Sequence, residues 1–429
     1  MIHWDVEVLA IGAGPSNLAL AVALEETAPE LAARTLIAEQ HDSVMWQRGM
    51  LLPWARSQVS FLKDLVTLRD PRSEFTFLNY LHSVGRLDRF VNLETFQPHR
   101  SEVSDYLRWV AESLRAVRIG YGRRAVAVEP HRIGGAVAGW RTRFADGTAV
   151  TCRHLVVGVG REPRVPDVFR ALPGDRVVHS TRFAERIGPL DQFGAHRFAV
   201  VGAAQSAVEM LWEVYQRFPR AECVLVTRSI GLKSYEHSKF TNELYEPSFT
   251  GDFHSAAPAF RRQVLDEMHR TNYGAVDPEL LDTVYGELYR LHLSGSSRMR
   301  VVPMTDVVKA VAGPDVVLTL ADRRTGGEAE LPCDLVLLGT GFSDAMPPLV
   351  EGIAAAVTGD TIDVDRSYRM ALPPSATATC HLQGVNEATH GIADSLLSVL
   401  GVRAEEIVRD LRAVRDRAWV RRSGARESR

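Results

Sequence analysis

The side chain in this sequence that is best suited to bind a small anion is a lysine set among large apolar residues. Lys63 and Asp64 lie within VSFLKDLVTLRDP, residues 59–71. Lysine is rarely buried without a partner. The segment therefore predicts one of two arrangements. Lys63 either extends along apolar surface and pairs with a nearby carboxylate, or it serves as a cationic anchor for a carboxylate on a small substrate.

A glycine turn near the N-terminus points to a nucleotide. The stretch VEVLAIGAGPSNLALAVALEE predicts a buried parallel strand, a turn and a helix. In the turn, Gly12 permits the tight bend and Gly14 lets the backbone approach a pyrophosphate at the helix N-terminus. Pro15 and Asn17 complete it, with Asn17 where a third glycine is usual. Glu39, after the next strand, has the spacing of a carboxylate that binds ribose hydroxyls.

The same pattern returns near residue 197, in RFAVVGAAQSAVEMLWEVYQRF followed by the strand ECVLVTRS. Gly202, Gln205 and Ser206 lie in a turn where two alanines replace glycines, which restricts the backbone more. This second unit ends in Arg228 instead of an acid. A cation there suits the 2′-phosphate of NADPH, and the alternative is an ordinary exposed strand end.

Two nucleotide-binding units in one chain predict the layout of a two-dinucleotide flavoenzyme, an α/β protein with two Rossmann-like domains and a small helical insertion. The chain would leave the first unit in LVVGVGREPRVPD and return in DLVLLGTGF, where Thr340 between two glycines predicts a close-packed crossing. The predicted domains are 1–166 with 334–429 for FAD, 167–229 with 300–333 for NADPH, and 230–299 as a helical substrate-binding region.

Several polar residues near the predicted domain junction are further candidates. Asn242 and Asn272 each lie beside an aromatic-rich run. Asparagines in loops usually form turns, and substrate contact is the alternative. Thr389, His390 and Gly391 are predicted to precede an apolar helix whose N-terminus would face a flavin ring. For His390, a capping or core role is the alternative.

Composition sets limits on the function. A chain of 429 residues is long enough for two or three domains. A net charge of −3 gives no sign of a nucleic-acid partner. The four cysteines form no CxxC pair, which argues against a zinc site, a disulfide scaffold and a disulfide reductase. There is no signal-peptide pattern and no apolar run of about 20 residues, so we expect a cytoplasmic protein without a membrane partner.

These motifs together resemble the FAD- and NADPH-dependent ornithine and lysine N-monooxygenases of siderophore biosynthesis. The resemblance covers nearly the whole chain, and the combination of QVSFLKDL with THGIADSLLS is its most specific part. The matching segments are GAGPSNLALA, WQRGMLLP, QVSFLKDLVTLRDP, FLNYL, GAAQSA, FTNELYEP, TNYG, GTGF and THGIADSLLS.

The resemblance implies a role for each matching residue. Lys63 would hold the carboxylate of the substrate amino acid, and Gln58 would line the flavin and substrate pocket. Asn242 would contact the amino-acid head group, Asn272 the side-chain amine and nicotinamide ribose, and Ser395 the substrate. The cofactor-binding residues implied for FAD are Gly12, Gly14, Pro15, Asn17, Glu39, Trp46, Gln47 and Gln58. Those implied for NADPH are Gly202, Gln205, Ser206 and Arg228. Three further cofactor-binding residues are expected near the domain junction and the flavin, namely Thr340, His390 and Gly391.

The activity implied is hydroxylation of the terminal amine of L-ornithine through a C4a-hydroperoxyflavin, with NADPH and O₂ consumed and no acid–base residue required. Homo-oligomers are common in the family, so a homo-oligomer is expected. Retention of both Asn242 and Asn272 favours ornithine. Departures such as Gly274 and Ala393, where relatives often have serine, leave L-lysine or a diamine open as the substrate.

Two other functions share part of this pattern. A Baeyer–Villiger-type flavin monooxygenase has the same two-nucleotide layout, but the chain has no recognisable FxGxxxHxxxW run. A flavin-binding sensor without enzyme activity would require Lys63 and the two asparagines to be accidental.

Overall fold

The structure is a computed structural model that describes residues 3–235, 238–359 and 361–427, with the backbone alone described for 270–272 and 417–427. Its strands form one seven-stranded sheet, one five-stranded sheet and one three-stranded sheet. The two larger sheets correspond to the two predicted nucleotide-binding units.

The seven-stranded sheet is built around Val6–Ile11, all six residues of which are buried. An apolar run of this kind is typical of a central parallel strand. It pairs in parallel with Thr35–Ala38 on one side and Ala149–Val157 on the other. The first half of Ala149–Val157 also pairs antiparallel with Ala136–Phe144, and its second half pairs in parallel with Thr379–Leu382. The remaining strands of this sheet are Arg118–Gly120 and Ala125–Ile133.

The five-stranded sheet is parallel throughout, in the order Met299–Val302, Glu222–Val226, Arg197–Gly202, Leu335–Gly339 and Val177–His179. The strand–turn–helix–strand unit predicted near residue 197 is therefore confirmed. The predicted boundary at 334 is wrong, because Leu335–Gly339 pairs inside this sheet and the chain returns to the first unit only after it. An apolar strand ending in glycine looks the same in either sheet, and its partners lie far away in the sequence.

The two connections between the larger sheets run side by side, as the crossing at Thr340 predicted. Pro163 and Phe342 form an antiparallel bridge. The Thr340 hydroxyl donates to the carbonyl of Arg164, whose own N–H donates to the Gly341 carbonyl at 2.9 Å. Each connection therefore stabilises the other at the junction.

The region 230–299 is helical, as predicted, and lies between two neighbouring strands of the five-stranded sheet. Its helices are Lys239–Asn242, Pro247–Ser255, Pro258–Tyr273 and Pro278–Leu293. The three longer ones each begin with proline, whose fixed φ suits the first helical position. The antiparallel sheet Thr305–Ala312, Val316–Asp322 and Glu328–Cys333, which follows, was not predicted.

Helices cover the faces of both larger sheets. Pro15–Thr27 and Gln205–Arg217 follow the two glycine turns, and the long helix Leu400–Glu427 packs against the first of them. None of the helices in the described ranges is long and apolar enough to cross a membrane. The other helices are Pro29–Ala32, Phe77–Ser83, Leu87–Asn92, Arg100–Ser113, Phe183–Ile187, Pro348–Val357 and Glu387–His390.

Candidate active site

The first glycine turn has the form of a phosphate-binding loop. Gly12 has φ +90°, and a Cβ there would lie 2.6 Å from the Gly158 carbonyl oxygen, so only glycine fits this close approach of two strands. A Cβ on Gly14 would meet nothing within 4 Å. Gly14 caps the helix that starts at Pro15 without a side-chain hydrogen bond. The space beside Gly14 therefore allows an anion to approach the N–H groups of the first helical turn.

Glu39 lies beside this turn, as its spacing predicted. Its carboxylate is buried and accepts hydrogen bonds from the Ala13 N–H at 2.7 Å and the His41 N–H at 2.9 Å. These bonds hold an acid at the carboxyl end of the second strand, where ribose hydroxyls bind in dinucleotide folds.

Asn17 supports the turn from the protein side. Its side chain is fully buried, and its amide donates to the carbonyls of Ile11 and Gly12 at 2.9 and 2.7 Å. Its oxygen accepts from Gln383 at 2.7 Å. Both amide hydrogens are thus used within the protein, and the predicted cofactor contact at Asn17 stays a prediction. Asn17, which stands where a third glycine is usual, stabilises the loop through these hydrogen bonds.

The second turn is also shaped by a close approach. Gly202 has φ +148°, and a Cβ there would lie 2.4 Å from the Gly339 carbonyl oxygen. The Gln205 side chain accepts from the Asp277 N–H and donates to Glu209, both at 2.8 Å. It therefore ties the turn to the helical region, and its predicted contact with NADPH stays a prediction, as does that of Ser206. Arg228 is exposed at the end of strand Glu222–Val226.

Lys63 lines a small pocket together with Ser57, Val59, Phe61 and Leu397. Its neighbour Asp64 accepts from the N–H groups of Val66, Thr67 and Phe77, at 2.6 to 2.9 Å, and from the Thr67 hydroxyl. Burial raises the pKa of Asp64, although these hydrogen bonds act against that effect.

Among the described residues, no carboxylate lies within ion-pair distance of Lys63. The first of the two arrangements predicted for this lysine, an ion pair within the protein, is therefore not observed. Lys63, half-buried at the edge of a largely apolar pocket, is instead available to an anionic ligand.

Gln58 lies between two residues that line the pocket, Ser57 and Val59. Trp46 and Gln47 lie in the loop that precedes them in the chain. The Gln58 carbonyl oxygen accepts from the Tyr235 hydroxyl at 2.7 Å, which leaves its amide hydrogens for a ligand. Burial raises the pKa of Tyr235 to about 12. Trp46 is half-buried, and its backbone N–H donates to the Ser104 hydroxyl at 3.0 Å. Gln47 is exposed and has φ +48°, an uncommon backbone conformation that occurs at functional loops.

The helical region meets the C-terminal segment beside the pocket. Tyr273 donates to Glu387 at 2.7 Å and lies 3.1 Å from the Ser395 hydroxyl. The turn that follows exposed Asn242 packs against the residues around Ser395. Asn272 falls within the helix Pro258–Tyr273, but its side chain lies outside the described part of the chain. The structure thus brings Ser395 close to two segments that carry predicted substrate contacts.

His390 is buried, as its core alternative predicted, and the short 3₁₀ helix Ile392–Ser395 follows it; the cofactor contacts predicted for His390 and Gly391 stay predictions. His390 ends the short helix Glu387–His390, and two further turns separate it from Leu400–Glu427. Its ring is buried 4.1 Å from the ring of Tyr368, centroid to centroid. Burial lowers the pKa of His390 to about 4. At Gly391 an added Cβ would lie 3.4 Å from the Phe253 ring, an ordinary contact, so the positive φ of +84° is what favours glycine there.

The segment 383–397 links the glycine turn to the Lys63 pocket, and the sequence analysis did not single out its first part, residues 383–388. Buried Arg403 binds Asp394 at 2.9 Å and the Ser16 hydroxyl at 2.7 Å. The signal was the polar cluster QGVNE directly after a buried parallel strand, because ligands bind at the carboxyl ends of such strands.

These features fit FAD and a nicotinamide dinucleotide. Within the described residues, the buried side-chain oxygens of Gln383 and Asn386 have no hydrogen-bond partner, which is unusual unless a ligand or water supplies one. Both residues follow strand Thr379–Leu382. Gln383 also donates to Asn17, which lies next to the turn at Gly14. Two dinucleotide turns and a cationic pocket define a two-nucleotide flavoprotein that acts on a small substrate.

Comparison with known proteins identifies the kind of flavoprotein. The family model for L-lysine 6-monooxygenase/L-ornithine 5-monooxygenase matches residues 5–344. L-ornithine N(5)-monooxygenase from Pseudomonas aeruginosa is 38% identical over 410 residues, which cover 94% of this chain and 92% of the relative. The structure of ornithine hydroxylase from the same organism superposes with a TM-score of 0.90 at 37% identity, covering 95% of this chain and 99% of the other.

A third relative carries bound ligands. The ornithine N-hydroxylase from Kutzneria sp. 744, with reduced FAD, NADP⁺ and L-ornithine, has a TM-score of 0.89 and 32% identity, covering 96% of this chain and 99% of that chain. The chain therefore belongs to the L-lysine 6-monooxygenase/L-ornithine 5-monooxygenase family. The predictions of this family, of a two-dinucleotide α/β fold and of a flavin-dependent monooxygenase with FAD and NADP cofactors are confirmed.

Proposed function

We propose that this protein hydroxylates the terminal amine of L-ornithine, using FAD, NADPH and O₂. The observation that carries the proposal is the Lys63 ammonium group. It lines a largely apolar pocket, and in the described part of the chain it has no carboxylate of its own. An α-carboxylate is the complement of such a cation. The 38% identity to an L-ornithine N(5)-monooxygenase over 94% of the chain supports the choice of amino acid.

The protein contributes binding and orientation. Reduced FAD, when bound, supplies the activation of O₂, and the overall reaction converts amine, O₂, NADPH and a proton into hydroxylamine, water and NADP⁺. Lys63 would fix the carboxylate, so that the length of the substrate sets where its far nitrogen lies. Gln58, oriented by Tyr235, would offer its amide hydrogens to the flavin or the substrate.

The remaining substrate contacts are proposed on the same basis. Asn242 and Ser395 lie on segments that pack against each other near the domain junction, and Asn272 lies on the helix that ends beside them. The reacting amine must be neutral, and a free amine of this type has a pKa near 10.4. We therefore expect kcat/KM for ornithine to rise with pH above neutrality.

A direct assay tests the proposal. Purified protein with FAD, NADPH and O₂ would be offered L-ornithine, L-lysine, putrescine and cadaverine, and the hydroxylamine product would be quantified. We expect the highest kcat/KM with L-ornithine and a weaker reaction with L-lysine, because one methylene in a binding pocket is worth about 1–3 kcal/mol. Hydroxylation of a diamine in preference to both amino acids would overturn the proposal.

Two further expectations belong to this proposal and are open to simple measurement. The cytoplasm supplies NADPH and free amino acids, so we infer that the enzyme acts there. Homo-oligomerisation is expected as well, and light scattering of the FAD-loaded protein would measure it.

A further inference from the structure

A second arginine, Arg323, lies beside Arg228, just beyond the end of strand Glu222–Val226. Arg323, in the turn between Val316–Asp322 and Glu328–Cys333, donates from Nη1 to the Arg228 carbonyl oxygen at 3.1 Å. The antiparallel sheet that was not predicted from the sequence therefore brings a guanidinium group to the carboxyl end of Glu222–Val226. In dinucleotide folds this strand end lies beside the 2′ position of the adenosine ribose.

Backbone hydrogen bonds through Met304 hold Arg323 in this position. Met304 adopts φ +51°, a left-handed conformation that is uncommon for a residue other than glycine. The Met304 N–H donates to the Ser229 carbonyl at 2.9 Å, and its own carbonyl accepts from the Arg323 N–H at 2.8 Å. One strained residue thus fastens the Arg323 turn to the loop after Arg228. Such strain persists where the surrounding structure requires one geometry, often at a ligand site.

The charges around Arg323 leave it able to bind an anion. Its Nε lies 3.3 Å from Asp306, and its side chain remains 53% exposed. A guanidinium group has five N–H donors, and the contacts with Asp306 and the Arg228 carbonyl use only part of that set. Arg324, next in the chain, differs in this respect, because it forms a two-pronged pair with Asp322 at 2.6 and 3.0 Å.

We propose that Arg323 is a second contact for the 2′-phosphate of NADPH and, with Arg228, determines the preference for NADPH over NADH. This inference rests on the proposed function only in taking NADPH as the reductant. Two guanidinium groups from different sheets would flank the phosphate, an arrangement that favours charge-assisted hydrogen bonds. Asp306 would hold the Arg323 side chain in place while the phosphate binds its free donors.

The test separates the 2′-phosphate from the rest of the cofactor. Binding of 2′,5′-ADP and of 5′-AMP to the FAD-loaded protein would be measured by calorimetry for the wild type, Arg323→Ala and Arg324→Ala. We expect Arg323→Ala to weaken 2′,5′-ADP about tenfold or more, the effect of losing one hydrogen bond to a charged group. Binding of 5′-AMP should not change. Arg324→Ala, which removes the same charge one residue away, should change neither by more than about twofold.

Kinetics provide the second readout. In Arg323→Ala we expect the KM for NADPH to rise while the KM for NADH and kcat stay constant, and Arg323→Lys should restore part of the loss. An equal loss for both cofactors would indicate a purely structural role and overturn the inference. Equal effects of Arg323→Ala and Arg324→Ala would also overturn it, since general electrostatics would explain them. A wild-type protein that binds 2′,5′-ADP through Arg323 but hydroxylates no amine would contradict the proposed function alone.

Discussion

Arg100 and Glu209 form a buried two-pronged ion pair that joins the two nucleotide-binding units, with nitrogen–oxygen distances of 2.6 and 2.8 Å. Arg100 begins helix Arg100–Ser113 of the first unit, and Glu209 lies on helix Gln205–Arg217, directly after the second glycine turn. The arginine also donates to the Met50 carbonyl at 2.7 Å. The pair therefore fixes the second nucleotide-binding turn relative to the first unit.

Glu209→Ala should destabilise the protein strongly. Removing one partner of a buried ion pair leaves the other charge without compensation, which typically costs about 3–5 kcal/mol. Urea unfolding of the FAD-loaded variant and the wild type would measure the change in the free energy of unfolding. The matched control is Glu185→Ala, which removes a carboxylate from the exposed pair with Arg182 and should change the free energy of unfolding far less. Similar losses in the two variants would refute the assigned importance of the buried pair.

Gly12 and Gly14 should respond differently to substitution by alanine. A Cβ on Gly12 collides with the Gly158 carbonyl and has an unfavourable φ, so Gly12→Ala should lower the Tm of the apoprotein. Gly14 has φ −75° and open space around it, so Gly14→Ala should leave the apoprotein Tm unchanged. Its added methyl group would occupy space that we assign to the pyrophosphate, and FAD binding should weaken about tenfold or more. Thermal unfolding and FAD titration would check both outcomes, and unaltered FAD affinity in Gly14→Ala would contradict the assignment.

The elements that carry the site could be predicted because their signals are local. The strand, turn and helix around Gly12 and around Gly202 each appear within about 30 residues, as apolar runs interrupted by small residues. Pairing between distant segments could not be predicted in this way. The Arg100–Glu209 pair joins residues 109 positions apart, and neither side chain stands out in its own segment. The sheet that contains Leu335–Gly339 is equally a matter of distant partners, which is why the domain boundary was misplaced.

The roles of individual residues could likewise be predicted where the signal was local, and not where it depended on distant partners. Lys63 was singled out because a cation among apolar residues is unusual in any fold, and the structure places it in a pocket. For Asn17 the position in the motif suggested only a cofactor contact, which stays a prediction, and did not reveal that its side chain stabilises the loop. Its partner Gln383 lies 366 residues away, and only the folded chain shows that this amide is fully used.

Lys63→Ala should impair the binding of amino-acid substrates selectively. Loss of the ammonium group removes a charge-assisted contact with the carboxylate, so we expect the KM for L-ornithine to rise by about tenfold or more. Putrescine, which has no carboxylate, serves as the internal control, and its weak turnover should be unaffected. Oxidation of NADPH by the bound flavin should also persist. Steady-state kinetics with both substrates would measure these effects, and an unchanged KM for L-ornithine would exclude Lys63 as the carboxylate contact.

His390 should make the folded state sensitive to acid. Burial lowers the pKa of His390 to about 4, whereas an unfolded histidine has a pKa near 6.5. Above about pH 6.5 the imidazole is neutral in both states, and its contribution to stability is fully present. Between about pH 6.5 and 4 the unfolded chain takes up a proton that the folded protein does not, so the free energy of unfolding falls. The total loss from this group is about 3 kcal/mol, the free-energy difference that corresponds to a fall of the pKa from 6.5 to about 4.

The slope of stability against pH is the quantity that isolates this effect. His390→Gln removes the titrating group, so its free energy of unfolding should fall less steeply than that of the wild type between pH 6.5 and 4.5. The variant also loses the ring stacked on Tyr368, which lowers its stability at every pH and does not alter the slope. Part of the acid sensitivity should remain, because burial also lowers the pKa of His154. Urea unfolding across this range, with exposed His292→Gln as the control, would measure the slopes. Parallel curves for His390→Gln and the wild type would show that His390 does not titrate differently in the folded and unfolded protein.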